Sequence, residues 1–353
     1  MNWTEQKVAY TPYNKDLTAP GDRRRFVFYA VERNVRFELA DPLRVYDIIY
    51  LTYGCNLSIW IKYKINHPNV KFVFELVDSY LFEDITIRSV LRGVARFLLG
   101  KERKLWPNYK TALRKMIAMS DAVVCSTYAQ KIDLLRLNDN VHISLDFFSN
   151  DITHHKDSFE IGKKLKLVWE GQAYTVNNLL MLNDVFEKLG DKIELYIITD
   201  PIIKLPISFF HKKTEAILKK LKCDYYLVSW DKRTFSEIIS NADLALIPIR
   251  RDIAMMWNKP ENKLLLLWEI GVPTLTSDTP AYRHAMDNAN LAFCCASTEE
   301  WLSKIEQYIN SSVEIRRDIF EKAGNYLRKY HNKDEILRRW DLVFESLEKD
   351  VGK

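Results

Sequence analysis

The sequence predicts an α/β protein built from two doubly wound halves. Short β-type runs alternate with helical patterns along the chain, and one polar stretch without periodicity interrupts that alternation near the middle. No run of about 18 apolar residues exists to suggest a membrane-spanning helix. At 353 residues and 47% apolar composition the chain can form two ordinary cores. Aromatic residues at 12%, with little glycine and proline, exclude the disordered and fibrous classes.

In the first half, runs 8–10, 35–39, 47–51, 71–77, 122–126 and 141–145 read as buried strands. Helical patterns lie between them at 23–33, 56–65, 87–99, 109–119 and 129–137. Strands separated by helices imply βαβ units and a parallel sheet. Residues 149–164, including His154, His155, Lys156 and Asp157, read as a linker. A second series follows, with strands at 165–169, 194–198, 225–228, 244–248, 274–277 and 292–294. Its helices are expected at 176–189, 209–221, 234–240, 262–270 and 298–310, and 313–347 is helical. The expected domains are 1–155 and 156–325, with a C-terminal helix at 326–353 packing back towards the first domain. Ligands of doubly wound sheets sit beyond the carboxyl ends of the strands, so the expected site is a cleft between two facing Rossmann-like domains.

The five cysteines are odd in number and lack CxxC spacing, which fits reduced, buried thiols. Of the basic residues, 23 lie in 1–158 against 18 acids, while the remainder holds 29 of each, so the first half carries the net charge of +5. Residues 85–115 hold nine basic side chains against Glu102. Such a field attracts phosphates, anionic lipid or nucleic acid. Arg88, Arg92 and Arg96 form a stripe beside Ile87, Leu91, Val94 and Leu98. That pattern suits a helix lying on an anionic membrane, and equally a core helix with a basic outer face. Nucleic acid is not an expected partner. No basic-then-apolar leader opens the chain, and the expected location is cytoplasmic, with a peripheral contact on the inner face of the membrane as an option.

The segment with most chemical content runs from Lys259 to Pro273. It begins polar, becomes an apolar helix, has Pro260 in its first turn and exits at Gly271. A helix start offers unpaired N–H groups and a positive dipole end. Lys259, Asn262 and Lys263 add donors and charge there, which makes a diphosphate cradle. An amphipathic helix with solvated lysines is the plain alternative.

Asn262-Lys263-Leu264 followed by Gly271-Val272-Pro273 resembles the N-K-L…G-x-P segment of the GT-B glycosyltransferases that use nucleotide-sugar donors, the group 1, family 4-like kind. The stretch from Ser120 to Thr127 is similar to the last strand of their first domain, and Leu167-Val168-Trp169-Glu170-Gly171 to the first strand and turn of their donor domain. The run from Asn241 to Pro248 is similar to a strand bordering their donor site, so the resemblance covers roughly 120–290. There are two departures. Leu266 stands where retaining members hold the donor ribose with Glu, and the Glu261/Glu269 pair is displaced by three from the family register. Val77 stands where those members carry His.

The resemblance implies a GT-B fold with a helical tail, a nucleotide diphosphate sugar donor and a saccharide or lipid-linked acceptor, in cell-surface polysaccharide synthesis. Donor contacts are expected from Gly171, Gln172, Arg250, Lys259, Glu261, Asn262, Lys263 and Asp278. A glycine after the first strand permits close backbone approach to phosphate, and an Arg at a strand end can pair with it bidentately. Plain turns and solvated loops are the alternatives, and Asp278 can instead cap the next helix. Asp78 or Asp22 is expected to assist the acceptor as general base, with helix capping as the alternative for each. Arg23 and Arg24 lie on the acceptor side of the same strand-to-helix loop. No DxD, GxGxxG or P-loop is present, so no metal or other cofactor is expected and dinucleotide and P-loop enzymes are disfavoured. The other readings are a catalytically silent GT-B-like scaffold, motivated by Leu266 and Val77, and a nucleotide-sugar epimerase.

Overall fold

The computed structural model describes residues 6–79, 81, 109–203 and 212–348. The predicted helix at 87–99, with Arg88, Arg92 and Arg96, lies outside the described residues. So does most of the basic run at 85–115. The chain divides into two compact units. One comprises Met1–Phe147, Asn258–Pro260 and Lys333–Lys353, and the other Phe148–Trp257 and Glu261–Asn332.

The first unit holds a parallel sheet of six strands: β1 (Val8–Thr11), β2 (Phe37–Leu39), β3 (Ile48–Thr52), β4 (Lys71–Leu76), β5 (Ala122–Cys125) and β6 (Val141–Ile143). Their order is β2-β1-β3-β4-β5-β6, with Val8 opposite Ile48 and Ile49 opposite Phe72. β3 is buried throughout and β4 nearly so, because both faces of the sheet are covered. On one face the helix Leu57–Asn66 sets Leu57 and Trp60 against Ile49, Leu51 and Phe72. Asn56 caps this helix by accepting from Ile59 N at 3.1 Å. On the other face Phe26 stacks on Tyr50 at 4.5 Å, Trp340 lies 5.8 Å from Tyr50, and Phe344 stacks on Tyr29 at 5.1 Å. The terminal helix Lys333–Glu345 is therefore part of the first unit's core.

The helix predicted over 23–33 is interrupted. The chain forms two short helices, Pro20–Arg23 and Phe26–Glu32, with Arg25 between them in a non-helical conformation. The Arg25 guanidinium is drawn into the interior by Glu75 and Asp146, which a continuous helix would not permit.

The second unit holds β7 (Leu165–Glu170), β8 (Ile193–Thr199), β11 (Tyr225–Ser229), β12 (Leu244–Ile247), β13 (Thr274–Ser277) and β14 (Cys294–Cys295), all parallel, in the order β11-β8-β7-β12-β13-β14. A small antiparallel pair, β9 (Ile202–Ile203) with β10 (Lys212–Lys213), stands apart from it. The pattern read as a helix over 176–189 is a 3-10 run, Ala173–Leu182, followed by the helix Asn183–Leu189.

The predicted linker belongs to this unit. Lys156 N donates to Ile270 O at 2.8 Å, its buried ammonium donates to Ala242 O at 2.7 Å, and Phe159 packs on Phe320 at 5.3 Å. These contacts put the unit boundary at Phe147 and not at 155. The helical tail is two helices: Val313–Tyr330 stays with the second unit, and the chain joins the first unit from Lys333. Among the described residues no helix is long and apolar enough to cross a membrane.

Candidate functional site

In the second sheet the strand order reverses between β7 and β12, and a crevice opens beyond the carboxyl ends of strands at such a point. β7 ends on Trp169 and Glu170. Lys263, in the first turn of the helix Asn262–Ile270, sends its ammonium back to donate to Glu170 O and to lie 5.1 Å from the Trp169 ring centre. Gly171 makes this possible. A Cβ there would sit 2.5 Å from Lys263 Nζ and 2.9 Å from Trp169 Cζ2. Two residues selected from the sequence are thus in direct contact, and Trp169, whose apolar, buried position gave no signal of it, supplies the surface between them.

The helix itself is well set. Gly271 ends it at φ +99, where its N–H donates to Leu267 O and Trp268 O. A Cβ on Gly271 would also meet Lys156 and Phe320 at 3.2 Å, so glycine is required twice over. At the other end Glu261 occupies the cap position with no side-chain cap bond and is buried. An acidic group there complements the helix dipole. Leu266 is also buried, packed in the core.

Gln172, Arg250 and Asp278 follow the carboxyl ends of β7, β12 and β13, which are neighbours in the sheet, and each has partners of its own. Gln172 is exposed, and its carbonyl accepts from Thr175 N and Oγ1, both at 2.8 Å. Arg250 is exposed and bound to Asp252, with Nη2 and Oδ2 2.5 Å apart; the pair raises the guanidinium and lowers the carboxyl from their ordinary values. The neighbouring Arg251 donates to Ala296 O at 3.0 Å and lies over the Trp257 ring at 5.0 Å. Asp278 accepts from Arg283 Nε at 2.9 Å and does not cap the next helix; Thr279 holds that position. Ser277 Oγ accepts from Ile249 N at 2.8 Å and ties the ends of β12 and β13 together. Lys259 falls in the short stretch that clusters with the first unit.

At the carboxyl edge of the first sheet, Asp22 has no exposed surface. Tyr10 Oη donates to its Oδ1 at 2.5 Å, Tyr13 N to the same oxygen at 2.9 Å and Asn14 N to Oδ2 at 3.2 Å. It fixes the loop after β1. That corrects the capping expectation: the cap residue is Ala19, and the Asp22 carboxylate is buried among three donors of the first unit. Arg23 donates to Thr18 O at 2.7 Å, and Arg24 O accepts from Phe147 N at 2.9 Å. Asp78 is half-buried just past β4, in a loop held by Gln130, which donates to Leu76 O and Asp78 O at 2.8 and 3.1 Å.

Arg25 is the largest departure from the sequence reading. Fully buried, it pairs with Glu75 through Nε, with Asp146 through Nη1 at 3.0 Å and with Ser144 O through Nη2 at 3.0 Å. Burial works against its charge, but Glu75 and Asp146 outweigh burial and hold the guanidinium protonated. No spacing rule finds such a group, since its partners lie 50 and 121 residues away. Among the described residues no His, Cys, Asp and Glu group has the arrangement of a metal site.

No protein-family model and no curated protein sequence matches the chain. Solved structures do match. TarM of S. aureus, in a complex with fondaparinux, alpha-GlcNAc-glycerol and UDP, is 13% identical with a TM-score of 0.56 over 84% of this chain and 55% of that one. The chain therefore spans about 55% of TarM's length. The E. coli trehalose-6-phosphate protein bound with UDP-2-fluoro glucose is 12% identical with a TM-score of 0.57, over 88% of this chain and 75% of that one. A glycosyltransferase from Rickettsia africae is 11% identical with a TM-score of 0.60, over 98% of this chain and all of that one. At these identities the likeness establishes the fold, which is GT-B, as the sequence motifs implied.

Proposed function

We propose that the chain is a glycosyltransferase that moves a sugar from a nucleotide diphosphate sugar to a saccharide or lipid-linked acceptor. The observation that carries this is the Lys263 ammonium, seated over Trp169 and Gly171 at the strand-order reversal of the second sheet, beside a helix N-terminus. That is where a diphosphate finds both a cation and backbone donors. The matched TarM and E. coli structures carry UDP and a UDP-sugar, which supports the same donor class here.

In the reaction, an acceptor hydroxyl oxygen attacks the anomeric carbon while the bond from that carbon to the nucleotide diphosphate breaks, and the diphosphate leaves with the electron pair. Lys263 and the helix start stabilise the charge on the leaving group, so no metal is required. Asp78 takes the acceptor proton. Gly171, Gln172, Glu261, Asn262, Arg250, Asp278 and Lys259 shape the donor side, and a role in cell-surface polysaccharide synthesis fits the acceptor class.

The test is calorimetric titration of UDP, GDP and ADP into wild type and Lys263→Ala. Loss of a charge-assisted contact of about 1.5–3 kcal/mol is expected to weaken binding roughly tenfold or more. Equal binding by both proteins, or none by wild type, refutes the assignment. A silent GT-B-like scaffold is the second reading, favoured by Leu266 being committed to the core where a ribose-holding Glu would stand. Release of free sugar from a donor panel separates the two, because the scaffold releases none.

A further inference from the structure

The first sheet has its own reversal of strand order, between β1 and β3. The loop after β1 leads to a helix on the Tyr50 face, and the loop after β3 to a helix on the Ile49 and Leu51 face, so the two loops diverge over one crevice. Thr11 and Thr52 stitch the strand ends together beneath it, with Thr52 Oγ1 donating to Thr11 O at 2.8 Å.

Tyr13 fills this crevice. Its Cε2 and Cδ2 lie 2.5 and 2.7 Å from where a Cβ on Gly21 would stand, and its Cδ1 lies 3.6 Å from one on Gly54. The ring is held between a glycine of the helix Pro20–Arg23 and one of the loop after β3, and its backbone N–H is fixed by Asp22. Despite that grip Tyr13 stays 36% exposed, an aromatic surface open at the point where a doubly wound sheet takes its ligand. The charges acting on its hydroxyl are the carboxylates of Glu75, Asp78 and Asp146 against the guanidinium of Arg25. The hydroxyl is the buried end of the side chain, and that burial, with Glu75 after it, pushes the phenol well above its ordinary value.

We propose that the Tyr13 ring is the platform on which the acceptor's pyranose stacks, and that the first unit selects a neutral saccharide over a phosphorylated one. This rests on the glycosyl-transfer reading above. An apolar ring face meets the C–H face of a pyranose, while a sugar hydroxyl donates to Asp78, which is half-buried and is not one of the carboxylates enclosed with Arg25. The Asp78 carboxylate repels a phosphate at the same place.

The test is saturation-transfer NMR on the full chain with methyl glucoside, methyl galactoside, methyl N-acetylglucosaminide and glucose 6-phosphate as probes. UDP titrations by calorimetry are run on the same samples. At least one neutral glycoside is expected to bind. Tyr13→Leu, which fills the crevice without a π face, is expected to weaken it about three- to tenfold, with Tyr13→Phe close to wild type. UDP affinity and melting temperature are expected to hold in both variants. Gly21→Ala, which forces the ring aside, is expected to weaken the glycoside similarly. Unchanged binding by Tyr13→Leu, stronger binding of the phosphorylated sugar, or no neutral glycoside bound by wild type overturns the proposal. If UDP fails to bind while glycoside binding still depends on Tyr13, the donor reading falls and the platform stands.

Discussion

Two cations, one part-buried and one fully enclosed, show how differently a charged residue can be used in this protein. Lys263 reaches an open strand end through the gap left by Gly171. Gly171→Ala places a methyl group against a mobile ammonium and a rigid indole. The stability loss is therefore expected to be small, about 1 kcal/mol by urea unfolding, while calorimetry shows nucleotide diphosphate binding reduced. Arg25 is enclosed. Arg25→Met strands Glu75 and Asp146 inside the first unit and is expected to cost about 3–5 kcal/mol. Glu75 is raised above its ordinary value chiefly by burial. A group with a raised folded value contributes stability below its unfolded value and loses it as pH rises. The Arg25→Met deficit is therefore expected to shrink as pH falls into the carboxylate range, as urea curves at several pH values would show. Lys263 was legible because its neighbours in sequence form a pattern. Arg25 was not, because its role depends on residues from β4 and from beyond β6.

At the scale of elements, most strands were legible from their apolar runs, since a sheet covered on both faces leaves no polar positions to blur them. Helix ends were less so. Thr127 caps the helix Tyr128–Leu134 by accepting from Gln130 N at 3.1 Å, a local signal available in the sequence. The break at Arg25 and the 3-10 run Ala173–Leu182 reflect tertiary demands that outweigh propensity. The edge strand β6 carries a pH-sensitive group. His142 is pushed down to about 4 by burial, and its Nε2 hydrogen-bonds Asn140 Oδ1 at 2.7 Å. A depressed folded value gives stability above the unfolded value, near 6.5, that is lost as pH falls through about 4. Because the ring is only part-buried, the loss between pH 7 and 5 is expected to be about 1 kcal/mol. Wild-type urea curves are expected to show it, and His142→Asn to flatten it.

At the scale of the molecule, the last helix returns to the first unit. Trp340 is fully buried there against Tyr29 and Tyr50. Trp340→Ala is expected to cost about 3–5 kcal/mol, and truncation after Asn332 to remove the first unit's calorimetric transition while the second unit's remains. The sequence by itself determined the α/β class, the parallel sheets and the GT-B resemblance, and it singled out Lys263 and Gly171 separately. These rest on periodicity and short-range spacing, which the linear chain displays. Only the tertiary structure decided that Asp22 faces inward, that Arg25 is buried among carboxylates and that Tyr13 lies open between two glycines. Each depends on segments far apart in the chain meeting at one sheet edge, and burial and charge pairing act on distance in space, which no spacing in sequence records.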